Sequence, residues 1–185
     1  MDSITRLYVS LISIAVVLTG CVESEGDYGF QIRKVDVRTA ERKLNTRFDQ
    51  RLSFSAEARE ALVHGVPLTI QVQVELRDAN SLTLLFDDHR RFEIRYLPML
   101  EDYQLRRLDG GSDQSFPRLR HALGALDRLD LSFDTGPLSP GNYELRTRTH
   151  VDLARLPAPM RLPARFSPQW QHDSRWSTWS FEISA

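Results

Sequence analysis

One thiol in this chain stands where covalent chemistry could reach it. Cys21 is the only cysteine and follows Leu18-Thr19-Gly20, an apolar residue and two small ones that close a short hydrophobic stretch. Leu7 to Leu18 is almost wholly apolar and follows the basic Arg6, the arrangement of a secretory signal with a small-residue cleavage site. Cleavage there would leave Cys21 first, where its thiol could be alkylated by a diacylglycerol, as at a bacterial lipobox. A spanning helix needs about 20 apolar residues, whereas this run gives way to Thr19, Gly20 and then the acidic Glu23, Glu25 and Asp27. The expectation is a signal segment at 1–20, a tether at 21–29 and a single lipid-anchored domain at 30–185, in the bacterial cell envelope and facing the periplasm. Val22, standing where an aspartate would retain the protein at the inner membrane under the enterobacterial sorting rule, favours the outer membrane.

The other side chains capable of chemistry do not converge. With Cys21 used, no thiol remains for a disulfide, a redox pair or a zinc cluster. His64, His89, His121, His150 and His172 show neither HxH nor HExxH spacing, so no metal and no cofactor is expected. His150 and Asp152 would share a strand face, but it is the polar face, with Glu144, Arg146 and Arg148. Asp87 and Asp88 are neighbours, which on a strand point to opposite sides, so Asp87-Asp88-His89 reads as a charged turn or strand start rather than an acid–base pair. A GxSxG elbow and a phosphate-cradling glycine loop are both missing from the sequence. The reading is non-enzymatic. Arg90, Arg91, Arg95, Arg106, Arg107, Arg118 and Arg120 would form an anionic-ligand patch if they shared a face, but carboxylates are interleaved with them. The 24 basic and 25 acidic residues leave a net charge of −1, which gives no pull toward nucleic acid.

The elements that would position these groups are mostly strands. Period-two alternation is cleanest in Leu68-Arg77, where Ile70, Val72, Val74 and Leu76 oppose Gln71, Gln73, Glu75 and Arg77. Similar patterns mark Phe30-Val37, Thr46-Phe54, Arg91-Leu97, Asp102-Leu108, Leu129-Asp134, Tyr143-Leu153 and Thr178-Ser184. Strands with one wet face imply antiparallel pairing. Ala56-His64 has helix signals in Ser55 before it and Gly65 after it. Ser115 to about Leu129 carries Leu119, Ala122, Leu123 and Leu126 at helical spacing, with Pro117 expected in the first turn. The fold class is therefore mainly β: an antiparallel sheet or two-layer β-sandwich with two short helices.

Leu156 to Pro168 holds Pro157, Pro159, Pro163 and Pro168, and reads as an extended surface crossover. All three tryptophans follow within ten residues. Trp179 falls on the inner face of the last strand, while Trp170 and Trp176 fall in or beside loops, where they plug the sandwich or present a surface. Trp170, Trp176, Met160 and Phe166 are the expected partner contacts.

Taken in order, Gly65-Val66-Pro67-Leu68, Gln114-Ser115-Phe116, Pro140-Gly141-Asn142-Tyr143, Leu156-Pro157-Ala158-Pro159 and the Trp170, Ser174, Trp176, Trp179 spacing resemble the proteobacterial domain-of-unknown-function family 4390, from about Gly29 to Ile183. The resemblance implies an exported, membrane-associated envelope protein and transfers no catalytic residue. Some relatives sit beside genes for membrane sensor kinases, which implies such a kinase as a partner. Two functions follow as expectations: a module that binds another envelope protein, and a carrier or sensor of a lipid or other amphipathic ligand.

Overall fold

The computed structural model describes residues 28–184; the segment 1–20 expected to be a signal, Cys21 and residues 22–27 of the expected tether lie outside them. The described chain is mainly β, as its alternation requires. Strands β1 (Gly29–Ala40), β2 (Lys43–Ser53) and β7 (Arg128–Asp134) form one antiparallel sheet in the order β1-β2-β7. The second is six-stranded, in the order β6-β5-β4-β3-β8-β9, from β3 (Leu68–Asp78), β4 (Leu84–Leu97), β5 (Asp102–Arg107), β6 (Gln114–Phe116), β8 (Gly141–Val151) and β9 (Ser177–Ile183). Leu44, Phe48 and Phe133 of the first sheet join Ile70, Val72 and Leu145 of the second in one core, so the sheets make a two-layer sandwich.

Alternation builds both layers, and one irregularity preserves it. The β1–β2 register shifts between Ile32 and Lys34. The extra residue, Arg33, lets Phe30 and Ile32 before it and Val35 after it all reach the core despite their odd spacing. Helix α1 (Ala56–Val63) starts where Ser55 Oγ accepts the Ala58 N–H at 3.1 Å, and it stops at Gly65, whose φ of +86° suits glycine.

Three expectations are corrected. The second helix, α2 (Leu119–Asp127), begins later than expected, because residues 114–116 pair with β5; Pro117 precedes the helix. Asp87-Asp88-His89 lies inside β4, which starts at Leu84 rather than Arg91. The proline-rich run contains a third helix, α3 (Ala158–Phe166), in place of an extended crossover. Pro159 occupies the first turn, where no intrahelical N–H is needed, and only Pro163 gives up a helical donor. Short 3-10 turns at Leu153–Arg155 and Pro168–Trp170 flank α3.

Candidate functional site

The end of the sandwich where the described chain begins is latched by long-range contacts. The Tyr28 hydroxyl donates to the Pro168 carbonyl at 3.4 Å, joining the start of the fold to the turn after α3. His172 closes the same end, its ring 5.6, 5.5 and 5.4 Å from those of Tyr28, Phe30 and Phe54. Its Nε2 accepts the Ser55 N–H at 2.9 Å, while Ser55 Oγ donates to the Gln169 carbonyl at 2.7 Å. The ring is 2 % exposed, and that burial pushes it down to about 4 against a weaker upward pull from the Trp170 backbone. It is therefore neutral near pH 7, with the proton on Nδ1 because Nε2 accepts. Trp170 is also only 2 % exposed, which corrects its assignment as a partner contact: the indole plugs this end of the core.

Beside this latch an open cleft of about 530 Å³ is lined by Arg148, His150, Arg165, Asp173 and Arg175. Arg148 binds Asp173 through two hydrogen bonds, one of them 2.9 Å, which holds the guanidinium above its usual range. Burial pushes the Asp173 carboxyl up, but hydrogen bonds from Arg148 and the Arg175 N–H, with the charges of Arg148 and His150, leave it below the ordinary value. Burial and then Arg148 lower His150, outweighing the opposite pull of Asp173 and Asp152. The Arg165 and Arg175 guanidiniums make no ion pair among the described residues. Arg175 itself is held at φ 58°, a left-handed conformation fixed by its N–H bond to Asp173 Oδ1 at 2.8 Å. A rim with two unpaired guanidiniums and a tied carboxylate suits an anionic group. The described residues contain no cluster of three or more His, Cys, Asp or Glu that could hold a metal ion.

The remaining expected residues are dispersed. Asp152 lies past the end of β8, where Oδ1 caps a 3-10 turn through the Ala154 N–H, so it makes no ligand pair with His150. The seven arginines split between faces. Arg90 pairs with Asp88 and Asp109 and lies 4.5 Å from the Phe133 ring on the inner side, whereas Arg91 sits opposite Gln71 on the outer side. Trp176 is half-buried on that outer side, its ring 5.0 Å from the Arg146 guanidinium. Trp179, by contrast, donates to Thr147 Oγ1 at 3.0 Å and packs against the core.

On α3 the structure separates two faces. Ala164 is buried and Met160 half-buried, while Leu162 is 65 % and Phe166 79 % exposed. The sequence does not single out Arg165 and Arg175, and it gives Leu162 only as one of the apolar residues of the proline-rich run that cover a sheet edge or meet a partner. The 158, 162, 166 spacing carried the signal, but it has meaning only on a helix, and four prolines argued against one.

Among the described residues no helix is long and apolar enough to cross a membrane. No curated protein and no solved structure shows a significant match. The family described as Domain of unknown function (DUF4390) matches residues 27–180, from just before β1 into β9, and the chain belongs to it.

Proposed function

We propose that this chain is a lipoprotein, held by an acylated Cys21 on the periplasm-facing surface of the outer membrane, and that its sandwich is a non-enzymatic accessory module binding another envelope protein. Leu18-Thr19-Gly20-Cys21 supports the anchor. The observation that carries the binding role is Trp176, whose half-exposed indole lies over Arg146 on the outer face of the six-stranded sheet. Arg146 also reaches Glu75 at 3.1 Å, and Glu75 holds Arg77 at 3.0 Å, so the aromatic stands among fixed charges. An indole stacked against an arginine is the composition of a protein-binding hot spot. A membrane sensor kinase is the class of partner that the family resemblance suggests. A lipid carrier would need an enclosed apolar cavity of ~300 Å³ or more; between these sheets Leu44, Phe48, Leu68, Ile70 and Leu145 are packed to 0 % exposure. That packing favours the binding module.

The test is a photo-crosslinking residue in place of Trp176, activated in the native envelope. One envelope protein should be captured, and the adduct should vanish when Cys21→Ser releases the domain from its membrane. No adduct, under conditions where a control lipoprotein captures its partner, would sink the binding role.

A further inference from the structure

The exposed stripe of α3 stands beside the point where the chain turns toward Cys21. Tyr28 touches the Pro168 carbonyl, two residues past Phe166. Residues 22–27 alone separate Tyr28 from Cys21, so even fully extended the two Cα atoms are at most about 25 Å apart. A surface that holds a lipid on Cys21 is thus within reach of this end of the sandwich.

The composition of α3 fits such a surface. Ala158, Leu162 and Phe166 recur every four residues and point away from buried Ala164. Arg161 and Arg165 run along one side of this stripe, and Arg155 precedes the helix. From Leu153 to His172 there are these three arginines and no aspartate or glutamate, in a chain whose net charge is −1. The acidic residues nearest the anchor, Glu23, Glu25 and Asp27, belong to the tether instead. Arg161 steadies the helix by donating through Nε to the Leu156 carbonyl at 2.7 Å, which leaves its terminal N–H groups for another acceptor. An apolar stripe bordered by arginine is the pattern of a helix lying in a membrane interface, where apolar side chains enter the acyl boundary and guanidiniums stay with lipid phosphates. Nine residues bury too little to attach a protein by themselves. Tethering raises the local concentration of bilayer, so the helix sets orientation while the lipid supplies attachment.

We propose that α3 lies in the headgroup layer of the membrane that carries Cys21, with Leu162 and Phe166 in the acyl boundary and Arg161 and Arg165 on anionic lipid phosphates. The sandwich then stands with its latched end on the bilayer and the β3–β4 turn farthest from it. This rests on the anchor proposed above, and the two are tested separately.

The experiment uses the mature lipoprotein in vesicles of phosphatidylethanolamine and phosphatidylglycerol. An environment-sensitive thiol probe is placed by Leu162→Cys, Phe166→Cys or, in the β3–β4 turn, Asn80→Cys. All three positions are exposed, so folding is spared, and with Cys21 acylated each new thiol is the sole free one. Flotation and the mass of the N-terminal adduct report the anchor, while probe emission and acrylamide quenching report α3. The expected result is a blue shift and loss of most quenching at 162 and 166, neither at 80, and a weaker effect in phosphatidylcholine vesicles or with Arg165→Glu. Floating protein whose probes all stay water-exposed overturns the proposal and leaves the anchor intact. Shielding that rises with protein-to-lipid ratio, or that occurs in native membranes but not in pure lipid, assigns the stripe to a second copy or to a protein partner and also overturns it. Protein with no acyl mass and no flotation removes anchor and proposal together.

Discussion

A neutral histidine buried at position 172 makes the entry end of this fold sensitive to acid. His172 has a folded value of about 4 against 6.5 when free, because its enclosed site disfavours the charged ring. Above pH 6.5 neither state binds the proton and the full stability is present. As pH falls from 6.5 toward 4 the unfolded chain takes up the proton and the folded one does not, so stability drops by up to about 3 kcal/mol and then levels. Asp173, whose carboxyl is held below its ordinary 3.8, loses its contribution only at lower pH, so the upper window belongs to His172 together with His150, which burial also lowers. Urea midpoints at pH 7 and pH 4.5 should therefore fall steeply for the native chain and much less for His172→Phe. The variant should also lose about 1–3 kcal/mol at pH 7, because the Ser55 N–H is left without its acceptor. Equal acid sensitivity in both would place the proton elsewhere. None of this was legible in the sequence, where His172 was one of five scattered histidines. Its environment is assembled by Phe30, Phe54 and Tyr28, more than a hundred positions away.

The elements divide by how local their causes are. Strand β3 was legible because one-sided burial forces alternation, and Leu68, Ile70, Val72, Val74 and Leu76 all reach the core. Helix α1 was legible from Ser55 and Gly65, residues that act on their own neighbours. Helix α3 was hidden because proline statistics describe helix interiors, while Pro157 and Pro159 stand at its start. Pro163 remains an interior proline, and its substitution tests how the helix is held. A helical proline costs about 3 kcal/mol relative to alanine, from which about 0.4–1 kcal/mol is recovered through the stiffer unfolded chain. Pro163→Ala should therefore stabilise the protein by about 2 kcal/mol, read as a higher urea midpoint with unchanged slope, since residue 163 is exposed. No gain would mean that α3 is shaped by docking of Ala164 and Met160 alone. The candidate site was legible only in part for the same reason: Phe166 was anticipated, but the stripe joining it to Leu162 required the helix.

Across the whole molecule the question is what fixes one sheet over the other, since apolar side chains alone permit sliding. The inner faces carry a polar tie at Gln50 of β2, which is 2 % exposed. Its Nε2 donates to the Leu126 carbonyl at the end of α2, and its Oε1 accepts the Thr149 hydroxyl of β8, both at 2.8 Å. One amide thus links the small sheet, the large sheet and the helix between them. Displacing one sheet over the other by one residue pair would break the bond to Thr149 inside a dry interface, where an unpaired polar group is costly. Gln50→Ala should leave the Leu126 carbonyl and the Thr149 hydroxyl without these partners and cost about 3 kcal/mol, on the scale of about 1–3 kcal/mol for each orphaned group. Thr149→Val alone orphans Gln50 Oε1. The double variant Gln50→Ala/Thr149→Val removes both members of that pair, so it should be more stable than the sum of the single losses by about 1 kcal/mol. Denaturant titration of the four proteins gives this coupling directly. Simple additivity would show that the sheets are aligned by the shape of Phe48, Phe133 and Leu145 rather than by the amide between them.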